Sequence, residues 1–223
     1  MFDQASKYAG TVDNVMIYVT VISVIMLLLI TVAMIYFVIR YNAKRNPIPT
    51  PYHGNVAIEV IWIVIPTILV MTMFFYGYRD FAELRNTKEQ DMEVSVTAKM
   101  WDWDFIYENG TKTDTLYIPV NKTIKFNITS IDVLHSFYIP GFRIKEDAVP
   151  GRNGFVFITS EKTGEFDIAC AEYCGQQHWN MYKKLIVMPQ DEFASWYDKN
   201  STGTEENLTE NALDSDNSES NNE

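Results

Sequence analysis

From Val15 to Ile39 the chain carries no charged residue, and from Val56 to Tyr78 it carries only Glu59. Each run exceeds the about 20 residues a helix needs to cross a bilayer, so the pattern predicts two membrane-spanning helices, over 15–39 and 56–78. The first run is longer than the about 7–15 apolar residues of a cleavable secretion signal, and no small-x-small cleavage site follows it. It is therefore read as a retained span. After Arg79-Asp80-Phe81 the period changes, and short alternating segments separated by turn residues take over. "MEVSVTA" and "WDWDFIY" alternate with period two, and Glu108-Asn109-Gly110 offers the residues of a tight hairpin turn. "TLYIPV", "TIKFNIT", "GFVFITS", "EFDIA" and "KLIVM" read as further strands, while Pro119, Pro140 and Pro150 suit edges or connections. Seven or so short strands indicate a β-sandwich or Greek-key barrel.

Charge adds an orientation. The connector from Arg40 to Asn55 holds Arg40, Lys44 and Arg45 and no acid, so the positive-inside rule places it in the cytoplasm and both termini outside. The net charge of −11 falls almost wholly on the residues after 78. An acidic external part disfavours nucleic acid as a partner and favours a cationic one, although acidic surfaces also serve solubility alone. The last residues, 199–223, are Asn, Ser, Thr, Glu and Asp with almost no large apolar side chain, a composition that cannot offset its ordering entropy. The expected organisation is an external segment 1–14, a span 15–39, a connector 40–55, a span 56–78, an external β domain 79–198 and a disordered acidic tail 199–223.

The candidate chemistry gathers in "CAEYCGQQHWNM". Both cysteines of the chain, Cys170 and Cys174, lie there with His178 and Met181, on a loop between the strands "EFDIA" and "KLIVM". Strands on either side let a loop direct several side chains at one point. A disulfide would leave His178 and Met181 without a role, and a structural zinc site has no use for a thioether. Coincidence is the third bland reading. Copper suits the whole set: a mononuclear site takes one Cys, two His and a weak axial Met, and the extra thiolate here allows a bridged pair of ions. Such a pair needs a second imidazole. Of the two remaining histidines, His53 lies in the connector and His135 outside, directly after a predicted strand, so His135 is the candidate. A backbone carbonyl of the loop would complete the set. An electron shared between two metals shifts bond lengths little, which suits electron transfer over substrate chemistry.

The hairpin, the β domain and this ligand set resemble subunit II of the haem–copper cytochrome c oxidases. The resemblance covers about residues 15 to 198 and rests on "IEVIWIVIPTILV", "MWDWDFIYENG", "DVLHSFYIPGFRIKEDAVPGR" and "CAEYCGQQHWNMY". It implies a cupredoxin-like external barrel holding a dinuclear copper centre, CuA, with His135, Cys170, Cys174, His178 and Met181 as ligands and the Glu172 carbonyl as the sixth. The Glu172 side chain would also bind magnesium or manganese at the boundary with subunit I. Trp101 matches the tryptophan that receives electrons from cytochrome c, with a structural aromatic as the alternative, which also suits Trp103. Asp132 resembles a residue that docks cytochrome c, and Glu59 one at the mouth of a proton channel in subunit I. For Glu59 the bland reading is a helix-N-terminal or snorkelling anion.

The resemblance further implies a complex with subunit I, which holds the haem, and with subunit III, in a bacterial cytoplasmic membrane with the β domain outside. Ala171, Tyr173 and Met100 depart from common family residues, none of them a ligand. No Cys-x-x-Cys-His is present, so a fused cytochrome domain is excluded. A quinol oxidase subunit would share the fold without copper ligands, a copper chaperone or zinc module would need no Trp101, and a nitrous oxide reductase domain would lack the hairpin.

Overall fold

The computed structural model describes residues 4–48, 51, 53–85 and 89–201. They form two compact units, one of residues Thr11–Glu83 and one that combines Met1–Gly10 with the chain from Leu84 onward.

The helical unit is built from α1 (Ala9–Arg40) and α2 (Val56–Arg85). Both helices extend past the uncharged runs, α1 starting at Ala9 and α2 running to Arg85, because no proline interrupts the backbone ladder in either extension. Their windows are long and apolar enough to span a bilayer, and their large side chains point outward. The Tyr18 hydroxyl and Thr72 Oγ1, 2.8 Å apart, bond between the helices, and Tyr18 meets Tyr76 edge to face. Asn55 caps α2, accepting from the amides of Ala57 and Ile58. Pro66 lies inside α2 and removes one amide donor, a gap that membrane helices tolerate.

The β unit has ten strands: β1 (Met92–Lys99), β2 (Asp102–Tyr107), β3 (Lys112–Thr113), β4 (Leu116–Pro119), β5 (Thr123–Ser130), β6 (His135–Ile139), β7 (Ile144–Ala148), β8 (Gly154–Thr159), β9 (Gly164–Cys170) and β10 (Tyr182–Met188). They make two five-stranded sheets, ordered β3-β2-β1-β5-β8 and β4-β10-β9-β6-β7. Within each, one pair runs parallel, β1 with β5 and β4 with β10, and the rest run antiparallel. This is the cupredoxin-like arrangement expected. Alternate residues face inward: Val94, Val96 and Ala98 of β1, Trp103 and Phe105 of β2, Ile124, Phe126 and Ile128 of β5, and Phe137 and Ile139 of β6 are fully buried. The hairpin turn falls where the sequence places it, with the Gly110 amide on Tyr107 O and Gly110 at φ +81°. Pro119 ends an edge strand, and Pro140 and Pro150 lie in connections.

Lys112–Thr113 and His135–Ile139 are strands that the alternation did not announce, and three further features differ from the sequence reading. His135 opens β6 instead of following the preceding strand directly, because residues 131–134 form a loop in between. The charged segment "IKEDA" is a strand: only Ile144 and Ala148 turn inward, and β7 sits at a sheet edge where its polar side chains meet water. Residues 190–201 are helical, so the structured domain continues past 198 into residues assigned to the tail. Phe193, Trp196 and Tyr197 recur at helical spacing and pack on the barrel, with Trp196 against Tyr107 and Tyr117. The expected disorder beyond residue 201 falls outside the described residues.

The Tyr107 hydroxyl joins β2 to β4, donating to Tyr117 O at 2.8 Å and accepting from the Tyr117 amide at 2.7 Å. Burial raises its pKa well above the usual tyrosine range, so it stays a neutral donor. Tyr107→Phe leaves both Tyr117 groups without that partner, and we expect a loss of about 1–3 kcal/mol, read as a lower midpoint of thermal unfolding in tryptophan fluorescence.

Candidate metal centre

The parallel pairing of β1 with β5 fixes where the site lies. Parallel strands end on the same side, so the turn after Lys99 and the loop after Ser130 emerge together. β9 ends at Cys170 and β10 begins at Tyr182, and their antiparallel register, with Tyr182 opposite Ala169, anchors both ends of the loop 171–181. The Cys170 amide donates to Met181 O at 3.1 Å and the Ala171 amide to Ser136 O at 3.0 Å. His135 at the start of β6 is thereby set beside Cys170, because Phe137 pairs with Cys170 across β6 and β9.

Every side chain expected to bind metal arrives in this one place. Cys170 Sγ and Cys174 Sγ are 3.8 Å apart, far beyond the about 2.05 Å of a disulfide, and both cysteines are free. His135 Nδ1 lies 3.8 Å from Cys170 Sγ, His178 Nδ1 lies 3.6 Å from Cys174 Sγ, and Met181 Sδ lies 3.8 Å from Cys174 Sγ. The Glu172 carbonyl oxygen is 3.2 Å from Cys170 Sγ. Sulfurs spaced in this way can each lie about 2.3 Å from one shared ion. The donor set of two thiols, two imidazoles and a thioether suits copper, since zinc sites rarely recruit a thioether. His135 is fully buried, Met181 nearly so and His178 half-buried. Burial, then the neighbouring Cys170 sulfur, pushes the Cys174 thiol up to about 12. A bound cation reverses that preference, since thiolate ligation requires loss of the proton.

Asp132 is not turned outward. Its Oδ1 is 2.9 Å from His135 Nε2, and the carboxylate also accepts from the amides of Met100 and Val133, both at 2.6 Å, and from Ser130 Oγ. Burial works against its charge, but the bonds from His135, Met100 and Val133 outweigh burial and hold the carboxyl down at about 2. An ionised carboxylate can only accept, so His135 carries its proton on Nε2 and aims the Nδ1 lone pair at the sulfurs. The signal was present in sequence as Asp-x-x-His, three residues apart on a loop.

Trp101 is half-buried and donates from Nε1 to Cys174 O at 3.1 Å. Gly175 makes that approach possible: it sits at φ +117°, and a Cβ there would come within 3.2 Å of the indole. The sequence reading did not single out Gly175. Trp103, fully buried, lies edge-on to the His135 ring and to Phe137. Tyr173, mostly exposed, meets the His178 ring. Glu172 is half-exposed near the start of the loop. Glu59 belongs to the helical unit, in the first turn of α2, with its side chain exposed.

Residues 70–188 match the family described as cytochrome C oxidase subunit II, periplasmic domain, and residues 1–79 match its transmembrane domain. A probable cytochrome c oxidase subunit 2 from Rickettsia bellii is 30% identical over 198 residues, covering 78% of this chain and 74% of that protein. The subunit 2 of Alkalihalophilus pseudofirmus is 35% identical over 204 residues, covering 83% of this chain and 58% of its own. Among solved structures, the periplasmic domain of cytochrome oxidase subunit II from Bradyrhizobium japonicum is 32% identical, with a TM-score of 0.49 over 52% of this chain and 96% of that one. Matches to both halves, and a relative covered over most of its length, place the chain in the cytochrome c oxidase subunit II family.

Proposed function

We propose that this chain is the electron-accepting subunit of a respiratory terminal oxidase, reduced by cytochrome c at the 135–181 cluster and oxidised by haem in subunit I. Oxygen reduction and proton pumping would then belong to subunit I. The observation that carries this reading is the unbroken run of ligand contacts, 3.6–3.8 Å, linking His135, Cys170, Cys174, His178 and Met181.

Cys170, Cys174, His135 and His178 would hold a copper pair, which would supply one-electron exchange with little change in bond length. The chain's own residues would prepare for it. Strands β9 and β10 hold the loop at both ends, which keeps the donors at fixed separations and limits the rearrangement that slows electron transfer. Asp132 fixes the His135 tautomer. Met181 and the Glu172 carbonyl would hold the metal more weakly than the thiols and imidazoles and so would tune its potential. Trp101, bonded to the backbone of Cys174, would be the point where electrons arrive, and the half-exposed His178 would face the exit. The Glu172 carboxylate would hold magnesium or manganese shared with subunit I. The two helices would anchor the β domain on the periplasmic face of a bacterial membrane, beside subunits I and III, with the Arg40–Arg45 connector in the cytoplasm. Glu59, exposed in the first turn of α2, would serve the proton-channel mouth.

Three measurements test this. The copper-loaded full chain is expected to bind about two copper ions and to give the paramagnetic resonance of one electron shared by two equivalent copper nuclei. Cys170→Ser and Cys174→Ser should each abolish that pattern, whereas a single bound zinc or a 170–174 disulfide in the native protein would remove the proposal. Asp132→Ala is expected to weaken copper binding about 10–100-fold, with Asp132→Asn retaining most of it because the amide oxygen still accepts from Nε2. A docking role for Asp132 would instead leave copper affinity unchanged in both variants and alter only the cytochrome KM. Glu59→Ala in the assembled oxidase should slow turnover severalfold with copper content unchanged; full turnover would leave Glu59 as a helix-terminal anion.

A further inference from the structure

At the end of the hairpin where α1 begins and the uncharged run of α2 stops, the two helices enclose a pocket of about 420 Å³. Thr11, Asn14 and Tyr18 line it from α1, and Tyr76, Arg79 and Asp80 from α2. The Tyr18–Thr72 bond and the Tyr18–Tyr76 ring contact hold the helices together at its base. Arg79 is positioned twice: its Nε donates to Asp80 Oδ1 at 3.1 Å, and its guanidinium lies 5.9 Å from the centre of the Tyr76 ring. The terminal amino groups of Arg79 and Asp80 Oδ2 have no partner among the described residues, and the Arg79 side chain is 63% exposed.

A second groove, of about 310 Å³, continues from the first, and Tyr76 lines both. Thr67, Ile68, Met71 and Phe75 line the rest of it, recurring three and four apart on one face of α2. From Tyr76 back to Thr67 the helix rises about 14 Å at about 1.5 Å per residue, close to the about 15 Å of hydrocarbon in one leaflet. A polar pocket at the edge of the span and an apolar groove one leaflet long together have the shape of a lipid. An arginine that merely anchors the helix end in the interface needs neither a carboxylate beside it nor a groove beneath it.

We propose that the hairpin holds one phospholipid with a primary ammonium headgroup, its phosphate on Arg79, its ammonium on Asp80 and one acyl chain along the 67–76 groove. The pocket presents one cation and one anion side by side, and that headgroup presents the complementary pair. A guanidinium takes a phosphate through two parallel N–H groups, and Asn14 and Thr11 add an amide and a hydroxyl donor. A headgroup with a phosphate alone leaves Asp80 facing like charge, and a choline has no N–H to donate to it. The inference requires that the hairpin span the membrane and is independent of the electron-accepting role proposed above.

The test uses the assembled oxidase in bilayers that contain a trace of phosphatidylethanolamine, phosphatidylcholine or phosphatidylglycerol carrying a photoreactive acyl chain. After illumination, adducts on residues 67–76 are counted by mass spectrometry. The ethanolamine probe is expected to label this stretch about tenfold more than either of the others, and unlabelled phosphatidylethanolamine to displace it. Arg79→Ala and Asp80→Asn are each expected to bring its labelling down to the level of the choline probe, with copper and haem content unchanged. Arg79→Lys keeps the charge and the interfacial anchor but not the fork, so it is expected to lose most of the excess, and it serves in place of Arg79→Ala if that variant fails to assemble. Equal labelling by the three probes, or undiminished labelling in both Arg79→Lys and Asp80→Asn, leaves an ordinary boundary lipid and overturns the inference. So does an absence of adducts on 67–76 in the assembled oxidase, which would assign the groove to a contact with another subunit.

Discussion

Two unbonded cysteine sulfurs held 3.8 Å apart in a buried pocket are the constraint on which this domain turns. Left alone, neighbouring thiols outside the cytoplasm tend toward a disulfide, and one thiolate opposes ionisation of the other. The fold resists collapse of the pair by fixing both ends of the loop. Cys170 closes β9 and is bonded through its amide to Met181, so the loop leaves and returns at one point. Cys174 is held from the other side, where its carbonyl receives the Trp101 indole. The separation of the sulfurs is a property of two sheets and a hairpin, more than of the loop itself.

The same economy explains why the ligands come from distant parts of the chain. His135 can reach Cys170 because β6 pairs with β9, and Trp101 can reach Cys174 because the β1–β2 turn projects at the end where β9 and β10 open. A barrel in which β1 and β5 run parallel brings those turns to one end without any long connection. The opposite end is closed by the helix at 190–201, whose aromatic stripe covers Tyr107 and Tyr117. Chemistry and closure are thus assigned to different ends of one core.

Much of this was legible in the sequence, and what was not has physical causes. Uncharged runs announce the helices, and period-two alternation announces the strands whose inner faces are Val, Ile, Phe and Trp. Strand β7 escaped because three of its five residues are charged and only its edge position makes that tolerable. The helix at 190–201 escaped because Phe193, Trp196 and Tyr197 are a short stripe beside a polar, acid-rich stretch. The ligand types and their spacing pointed to the cluster directly. The resemblance assigned Asp132 to donor docking and left open where its carboxylate turns. Its inward turn depends on three amide and hydroxyl donors that only the folded loops bring together, and Gly175 likewise gains meaning only once the Trp101 indole lies against it.

Asp132 also joins two parts of the site that have different needs. One oxygen holds the His135 ring and the other receives the Met100 amide, so the rim that meets solvent and the imidazole that meets the metal ligands hang from a single carboxylate. A rim pinned in this way cannot swing independently of the ligand beneath it. A rim free to move would carry its motion into the imidazole and so into the ligand contacts. Tying these loops to the fully buried His135 divides the site into an exposed apolar edge and a fixed interior. That division holds only if the carboxylate remains ionised and fully bonded, a condition met here by three protein donors besides the histidine.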